Sequence, residues 1–276
     1  MDYLNFLYKT RPGRLLLKPL ISRPVSLLSG RFMDSRASGI LIRPFAAKYG
    51  IPLQDYEMED VRSFNDFFCR RIRQGLRPFS PDEGDFIAPC DGLLSVSRIT
   101  KDRVIKVKQS SFTISRLLRD KRLAAGFEGG YCLIFRLCVQ HYHRYIYFAS
   151  GLKHRNRRIE GLYHTVRPTA LEEVPVFIEN TREYTVLDTE QFGRCVQMEV
   201  GAMLVGRIVN EELSPCRVVR GEEKGHFAYG GSTIILLIPA EKAILRSDLR
   251  EALDKNVEIP VRQGEKIGEG TPEEGL

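Results

Sequence analysis

Gly230-Gly231-Ser232-Thr233 runs straight into Ile234-Ile235-Leu236-Leu237-Ile238. A short apolar run entered through glycines, with isoleucine prominent, has the composition of a buried β-strand. The four residues before it have two readings. They form an ordinary turn, or they form a self-cleaving bond: glycine permits a strained backbone that exposes its carbonyl, and the Ser232 hydroxyl can attack that carbonyl. Outward from this stretch, short apolar segments separated by Gly, Asp and Asn predict strands over 93–99, 104–107, 131–139, 174–178, 184–187, 196–200 and 204–209. The spacing predicts a short helix over 110–118. Ser63-Phe64-Asn65-Asp66 has the Ser-x-x-acid form of a capping box, so a helix is expected to start there. The prolines of Leu76-Arg77-Pro78-Phe79-Ser80-Pro81 mark a linker. The expected class is α+β: a helical N-terminal region over 1–62, followed by a β-rich catalytic domain over 63–276.

With 276 residues, 43% hydrophobic and 28% charged, the chain can bury a sizeable core. It contains no apolar run near the length of a transmembrane helix, and charges and prolines interrupt the N-terminal apolar stretch, so neither a membrane span nor a signal peptide is expected. The six cysteines (Cys69, Cys90, Cys132, Cys138, Cys195, Cys216) lack paired metal-site spacing. They are expected as free thiols of a reducing compartment, with no metal centre.

The charge is uneven. Residues 1–50 hold nine Lys/Arg against Asp2 and Asp34, which accounts for the whole net charge of +7. These basic residues alternate with Leu15-Leu16-Leu17, Leu27-Leu28 and Ile40-Leu41-Ile42, in stretches interrupted at Pro12, Pro19, Pro24 and Pro44. Such a pattern fits interfacial helices on an anionic membrane. It equally fits helices that pack on the core or on a second subunit as a homodimer. No recognition motif for nucleic acid accompanies the patch, and none is expected as a partner.

A series of short blocks crosses the chain in order: Phe67-Phe68-Cys69-Arg70-Arg71 with Arg77-Pro78; Ala88-Pro89-Cys90-Asp91-Gly92; Tyr142-His143-Arg144-Tyr145; Tyr163-His164-Thr165-Val166-Arg167-Pro168; Glu179-Asn180-Thr181-Arg182-Glu183; Val200-Gly201-Ala202-Met203-Leu204-Val205-Gly206; Lys224-Gly225-His226-Phe227 leading to Gly231-Ser232-Thr233; and Gly264-Glu265-Lys266-Ile267-Gly268. In content and spacing over 64–268 the chain resembles the phosphatidylserine decarboxylases, a family of self-processing pyruvoyl enzymes.

The resemblance implies cleavage between Gly231 and Ser232, with Ser232 becoming the pyruvoyl group that serves as cofactor. It also implies a catalytic set of Asp91, His143 and Ser232, in which His143 is the base and Asp91 orients it, as in other activated-serine sites. The substrate would be phosphatidylserine, the products phosphatidylethanolamine and carbon dioxide, and the location peripheral, on the cytoplasmic face of the cell membrane. Two departures stand out. Many members follow Tyr-His-Arg-Phe with a second histidine, where this chain has Ile146; His141 and His164 are the local candidates for an accessory role. The serine also follows Gly-Gly rather than Leu-Gly or Phe-Gly. Other outcomes are a relative acting on archaetidylserine or a small amino acid, and a membrane-binding module that is not processed.

Overall fold

The computed structural model describes residues 3–100, 104–107, 110–203, 207–229, 233–253, 255 and 257–271. The N-terminal region is helical, as expected: α1 (Tyr3–Lys9), α2 (Arg11–Leu20), α3 (Arg23–Met33) and, after a 3-10 turn over Arg36–Leu41, α4 (Ile42–Tyr49). Pro12 and Pro24 begin helices rather than interrupt them. They sit in the first turns of α2 and α3, where a missing N–H costs no intrahelical bond and the fixed φ is already helical. Thr10 caps α2, its hydroxyl accepting from the Gly13 N–H at 3.0 Å. Gly13 is required, because a Cβ there would lie 1.9 Å from the Phe6 carbonyl oxygen of α1.

α5 (Phe64–Phe68) starts at the capping box read from the sequence. Ser63 Oγ accepts from Asp66 N at 3.1 Å, and the Asp66 carboxylate accepts from Ser63 N at 2.9 Å.

An antiparallel sheet organises the rest. Its main path runs Cys216–Val218, Gly151–Lys153, Arg182–Thr189, Gly193–Val200, Thr233–Ile238, Tyr131–Arg136, Gly92–Arg98, Ile259–Val261, and Arg157–Ile159 also pairs with Arg182–Thr189. Every residue of Thr233–Ile238 is buried. After Thr233 the strand is apolar, because both faces are covered. Ile235 and Leu237 join one core with Leu4, Tyr8, Leu17 and Ile21 of the N-terminal helices. Ile234, Leu236 and Ile238 point the other way, toward Phe86, Phe148 and Phe227 of the smaller sheets. Tyr131–Arg136 alternates in the same manner, with Cys132 and Ile134 on the helix side and Leu133 and Phe135 on the other.

Two expected elements differ. The run 174–178 is helical over Val176–Glu179, with Pro175 at its N-terminus. Five apolar residues carry no period that separates strand from helix, and Pro175 cannot donate to a strand ladder. Within 110–118, Ser110–Thr113 pairs with Val104–Val107 as a strand, and only Ile114–Leu118 is helical, capped by Thr113. The run 204–209 contributes a strand at Ile208–Asn210, and 204–206 lie outside the described residues.

One buried ion pair ties the sheets together. Lys224 Nζ donates to Glu199 Oε2 at 2.6 Å and to Asn210 Oδ1 at 2.7 Å, with both charged side chains fully buried. Removing one partner strands the other charge, so Lys224→Met is expected to destabilise by about 3–5 kcal/mol, whereas Lys224→Met with Glu199→Leu recovers most of the loss. Urea denaturation of both single variants and the double variant checks this; a double-variant loss equal to the sum of the two single losses would show that the pair is not coupled.

Candidate active site

Asp91 ends the loop that enters the strand Gly92–Arg98. Its carboxylate is fully engaged. Arg77 donates through Nε to Oδ1 at 3.0 Å and through Nη2 to Oδ2 at 2.7 Å, and the Gln263 N–H adds a bond to Oδ1 at 2.9 Å. This bidentate pair has the strong fork geometry of arginine with carboxylate. Burial works against the Arg77 charge, but the hydrogen bond and charge of Asp91 outweigh it and hold the guanidinium pKa above its usual value.

His141 and His143 follow the strand Tyr131–Arg136. His141 Nδ1 accepts from Cys138 N at 3.0 Å, which leaves the ring proton on Nε2. Burial lowers the His141 pKa, the Asp91 charge pulls it back up, and Arg136 lowers it again. Asp91 therefore acts electrostatically on His141.

His143 is buried, and its ring lies 3.9 Å from that of Phe68, tilted by 34°. Neither ring nitrogen has a hydrogen-bond partner among the described residues. Burial, with the Arg70 and His141 charges adding, holds its pKa well below the usual histidine range, so the ring is neutral near pH 7. A buried imidazole without partners costs on the order of 1–3 kcal/mol, and such orphans concentrate at functional sites. The expected hydrogen bond from Asp91 to His143 is not formed, since Arg77 and Gln263 occupy the carboxylate. The expected base His143 and expected orienter Asp91 thus lack the direct contact of a serine-protease relay.

The Gly231–Ser232 bond, and Gly230 before it, lie outside the described residues. Their neighbours are described on both sides. Upstream, Tyr229 donates its N–H to Asn65 Oδ1 at 2.9 Å and packs edge-on against Phe64 and Phe68, the ring that carries His143. The Phe227 N–H donates to the His143 carbonyl at 3.0 Å. Downstream, Thr233 is registered between Val200 and Arg136, and Arg136 is in turn paired with Leu93, two residues from Asp91. The Thr233 hydroxyl is buried, with no hydrogen-bond partner among the described residues. Asp91, His141 and His143 therefore lie on the segments that flank the chain entering and leaving Ser232.

His164 is placed elsewhere. Tyr8 OH accepts from Thr165 N and lies 3.2 Å from His164 Nδ1, while His164 Nε2 faces Glu179 at 3.3 Å. Burial pushes its pKa down to about 4 despite the Glu179 carboxylate. The neutral ring, with Nε2–H toward Glu179, ties α1 to the catalytic domain. The backbone at Ile146 approaches the Asp91 loop, its N–H donating to the Pro89 carbonyl at 2.9 Å.

Sequence reasoning missed Arg70 and Arg77. Arg70 is buried, stacks 4.3 Å over Tyr56 and 4.7 Å over Phe67, and donates to the Gln140 and His141 carbonyls, holding the turn that presents both histidines. Both arginines stand in the quoted blocks, but nothing local indicates their partners. One cluster of metal-ligating groups occurs among the described residues, Glu211, Glu223 and His226, with ligand atoms within 4.8 Å of one another. Arg71 and Arg144 already bind the Glu223 carboxylate, which makes it a poor cation site.

Comparison with known proteins agrees with the blocks. Residues 64–269 match the family model described as phosphatidylserine decarboxylase. The chain is 41% identical to phosphatidylserine decarboxylase proenzyme 2 of Clostridium acetobutylicum, over 96% of this chain and 91% of that protein. It is 38% identical to the phosphatidylserine decarboxylase proenzyme of Ruminiclostridium cellulolyticum, over 96% and 90%, and 37% identical to that of Clostridium novyi, over 97% and 92%. An ordered set of matched blocks, among them those that carry Asp91, His143 and Ser232, and relatives aligned nearly end to end lead to one assignment: the chain belongs to the phosphatidylserine decarboxylase family of carboxy-lyases.

Proposed function

We propose that this chain cuts its own Gly231–Ser232 bond and then converts phosphatidylserine to phosphatidylethanolamine and carbon dioxide at a membrane surface. The observation that carries the reading is the buried neutral His143, with both nitrogens unpartnered among the described residues, packed on Phe68, whose ring also meets Tyr229 on the chain that leads into Ser232. A neutral imidazole can take the Ser232 hydroxyl proton while the oxygen attacks the Gly231 carbonyl. The amide becomes an ester, elimination releases the Gly231 carboxylate, and hydrolysis of the remaining dehydroalanine expels ammonia. The unpartnered His143 nitrogens and Thr233 hydroxyl give this region spare polar capacity for a carbonyl-bearing group at position 232. Such a pyruvoyl group supplies a ketone for the substrate amine and a sink for the electrons of the departing carboxylate. His143, neutral in the resting site, takes up a proton that the substrate ammonium sheds and returns it to the former α-carbon. Arg70 keeps the ring in place through the 140–141 backbone.

The test is direct. Purified protein incubated with phosphatidylserine vesicles should form phosphatidylethanolamine, and hydroxylamine, which captures ketones, should abolish the activity. Turnover that survives hydroxylamine would sink the pyruvoyl assignment.

The N-terminal helices support placement on a membrane. Leu17 and Ile21 are buried in the core, but Leu15, Leu16, Leu27, Leu28, Phe32 and Ile40 are exposed, the last at 80%. Exposed leucines beside exposed Arg11 and Lys18 suit an anionic bilayer. Among the described residues, no helix is long and apolar enough to cross one. Each cation near an anionic surface contributes about 1 kcal/mol, so Arg11→Glu with Lys18→Glu is expected to weaken sedimentation with anionic vesicles at least tenfold. Arg14 is spared because it holds the Tyr8 carbonyl and Glu173. Unchanged binding at low salt would make this surface a contact for a second copy of the chain or a solvated face.

A further inference from the structure

One face of α3 forms the wall of a cleft of about 370 Å³. Arg23, Leu27, Gly30 and Arg31 line it at helical spacing, and Arg158, Arg207 and Tyr229 face them from the catalytic domain. The cleft is cationic: four arginines line it with one carboxylate, Asp34, which lies 3.6 Å from Arg207, while Arg158 also pairs with Glu160 at 2.9 Å and Glu183 at 3.5 Å. Among the described residues, Arg23 and Arg31 form no ion pair.

Position gives this charge a meaning. Tyr229 is three residues before Ser232, a stretch that spans at most about 10 Å. Asn65 clamps the two walls together, donating to Asp34 Oδ1 at the end of α3 and accepting from Tyr229 N. At the opposite side Leu27 leads to the exposed Leu28 and Phe32. A ligand seated here has an anion among arginines, one end beside Tyr229, and apolar chains within reach of the exposed Leu27 and Leu28 of α3.

We propose that this cleft binds the phosphodiester of the lipid substrate, with Arg23 and Arg31 of α3 as its main partners and Arg207 on the opposite wall. Arginine suits the role, since its planar fork pairs two donors with two phosphate oxygens. The N-terminal helices are then part of the substrate site as well as a membrane surface. This inference rests on the proposed phosphatidylserine reading, and free phosphate shares the same anionic chemistry.

The test measures binding without turnover or membrane recruitment. Soluble dihexanoylphosphatidylserine is equilibrated by dialysis against the full-length Ser232→Ala chain, and against the same chain carrying Arg31→Gln or Gly30→Leu. A Cβ at position 30 meets no atom within 4 Å, and leucine is a better helix former than glycine, so Gly30→Leu is expected to fill the cleft while α3 stays intact. Both substitutions are expected to raise Kd at least tenfold while thermal unfolding stays within a few degrees of the parent. Glycerophosphoserine should displace the lipid at concentrations where inorganic phosphate does not. No binding to the parent, or unchanged Kd in both variants, overturns the proposal, and equal displacement by inorganic phosphate makes the cleft a simple phosphate site. Intact binding together with wild-type protein that fails to decarboxylate phosphatidylserine would instead sink the enzymatic reading and leave the cleft assignment standing.

Discussion

Ser232→Ala is expected to yield a single uncut chain with no detectable decarboxylase activity. The serine is asked to do two things. Its hydroxyl attacks the Gly231 carbonyl, and its own carbons become the ketone that the reaction requires. Alanine has no oxygen to attack with and no leaving group to eliminate, so both maturation and turnover are lost together. The fold should survive, because the strand that follows is held by its register with Gly193–Val200 and Tyr131–Arg136 and by the burial of Ile234 to Ile238. A denaturing gel and a phosphatidylethanolamine assay read the two losses. A chain that still cleaves at the same bond would show that the serine is not the nucleophile.

His143→Ala is expected to slow self-cleavage by about 10²- to 10⁴-fold, the range of a lost general base. The pH dependence of the wild-type reaction sharpens this. An exposed histidine takes up its proton as pH falls through about 6.5 and stops acting as a base. Burial lowers the folded pKa of His143 well below that, so cleavage should not fall as pH passes through about 6.5, where an exposed histidine would, and should drop only in more acidic solution. The same shift has a stability consequence of definite sign. A histidine whose folded pKa is depressed contributes stability above its unfolded pKa, and that contribution is lost as pH drops below about 6.5, because the unfolded chain binds the proton that the folded ring refuses. His141→Ala, measured in parallel, is the informative control, since His141 is the histidine that feels the Asp91 charge. Normal processing without His143, with a large loss in His141→Ala, would move the base to position 141.

What the sequence revealed and what it concealed divide along contact distance. The Ser63–Asp66 capping box is a three-residue signal and appears in the structure with both hydrogen bonds made. The run Ile234 to Ile238 announced a strand buried on both faces, and its residues do alternate between two cores. The equally short run at 174–178 was read as a strand and is helical, because an apolar run alone carries no period and Pro175 decided the outcome. At the site, the motifs mark Asp91 and His143, but their environments depend on distant residues. Arg77 reaches Asp91 from 14 residues away, and Tyr8 meets His164 across 156. No local pattern shows that Arg77 occupies the Asp91 carboxylate, or that His143 is left without partners. The cationic cleft is similarly hidden, since Arg31 and Arg207 stand far apart in sequence and meet only when α3 docks.

The intact mass of the purified wild-type protein tests the central claim most directly. The account predicts two chains: residues 1–231 ending in a free carboxylate, and residues 232–276 lighter by one ammonia than a chain beginning with serine. A single species with the mass of all 276 residues, from protein that forms phosphatidylethanolamine, would contradict it.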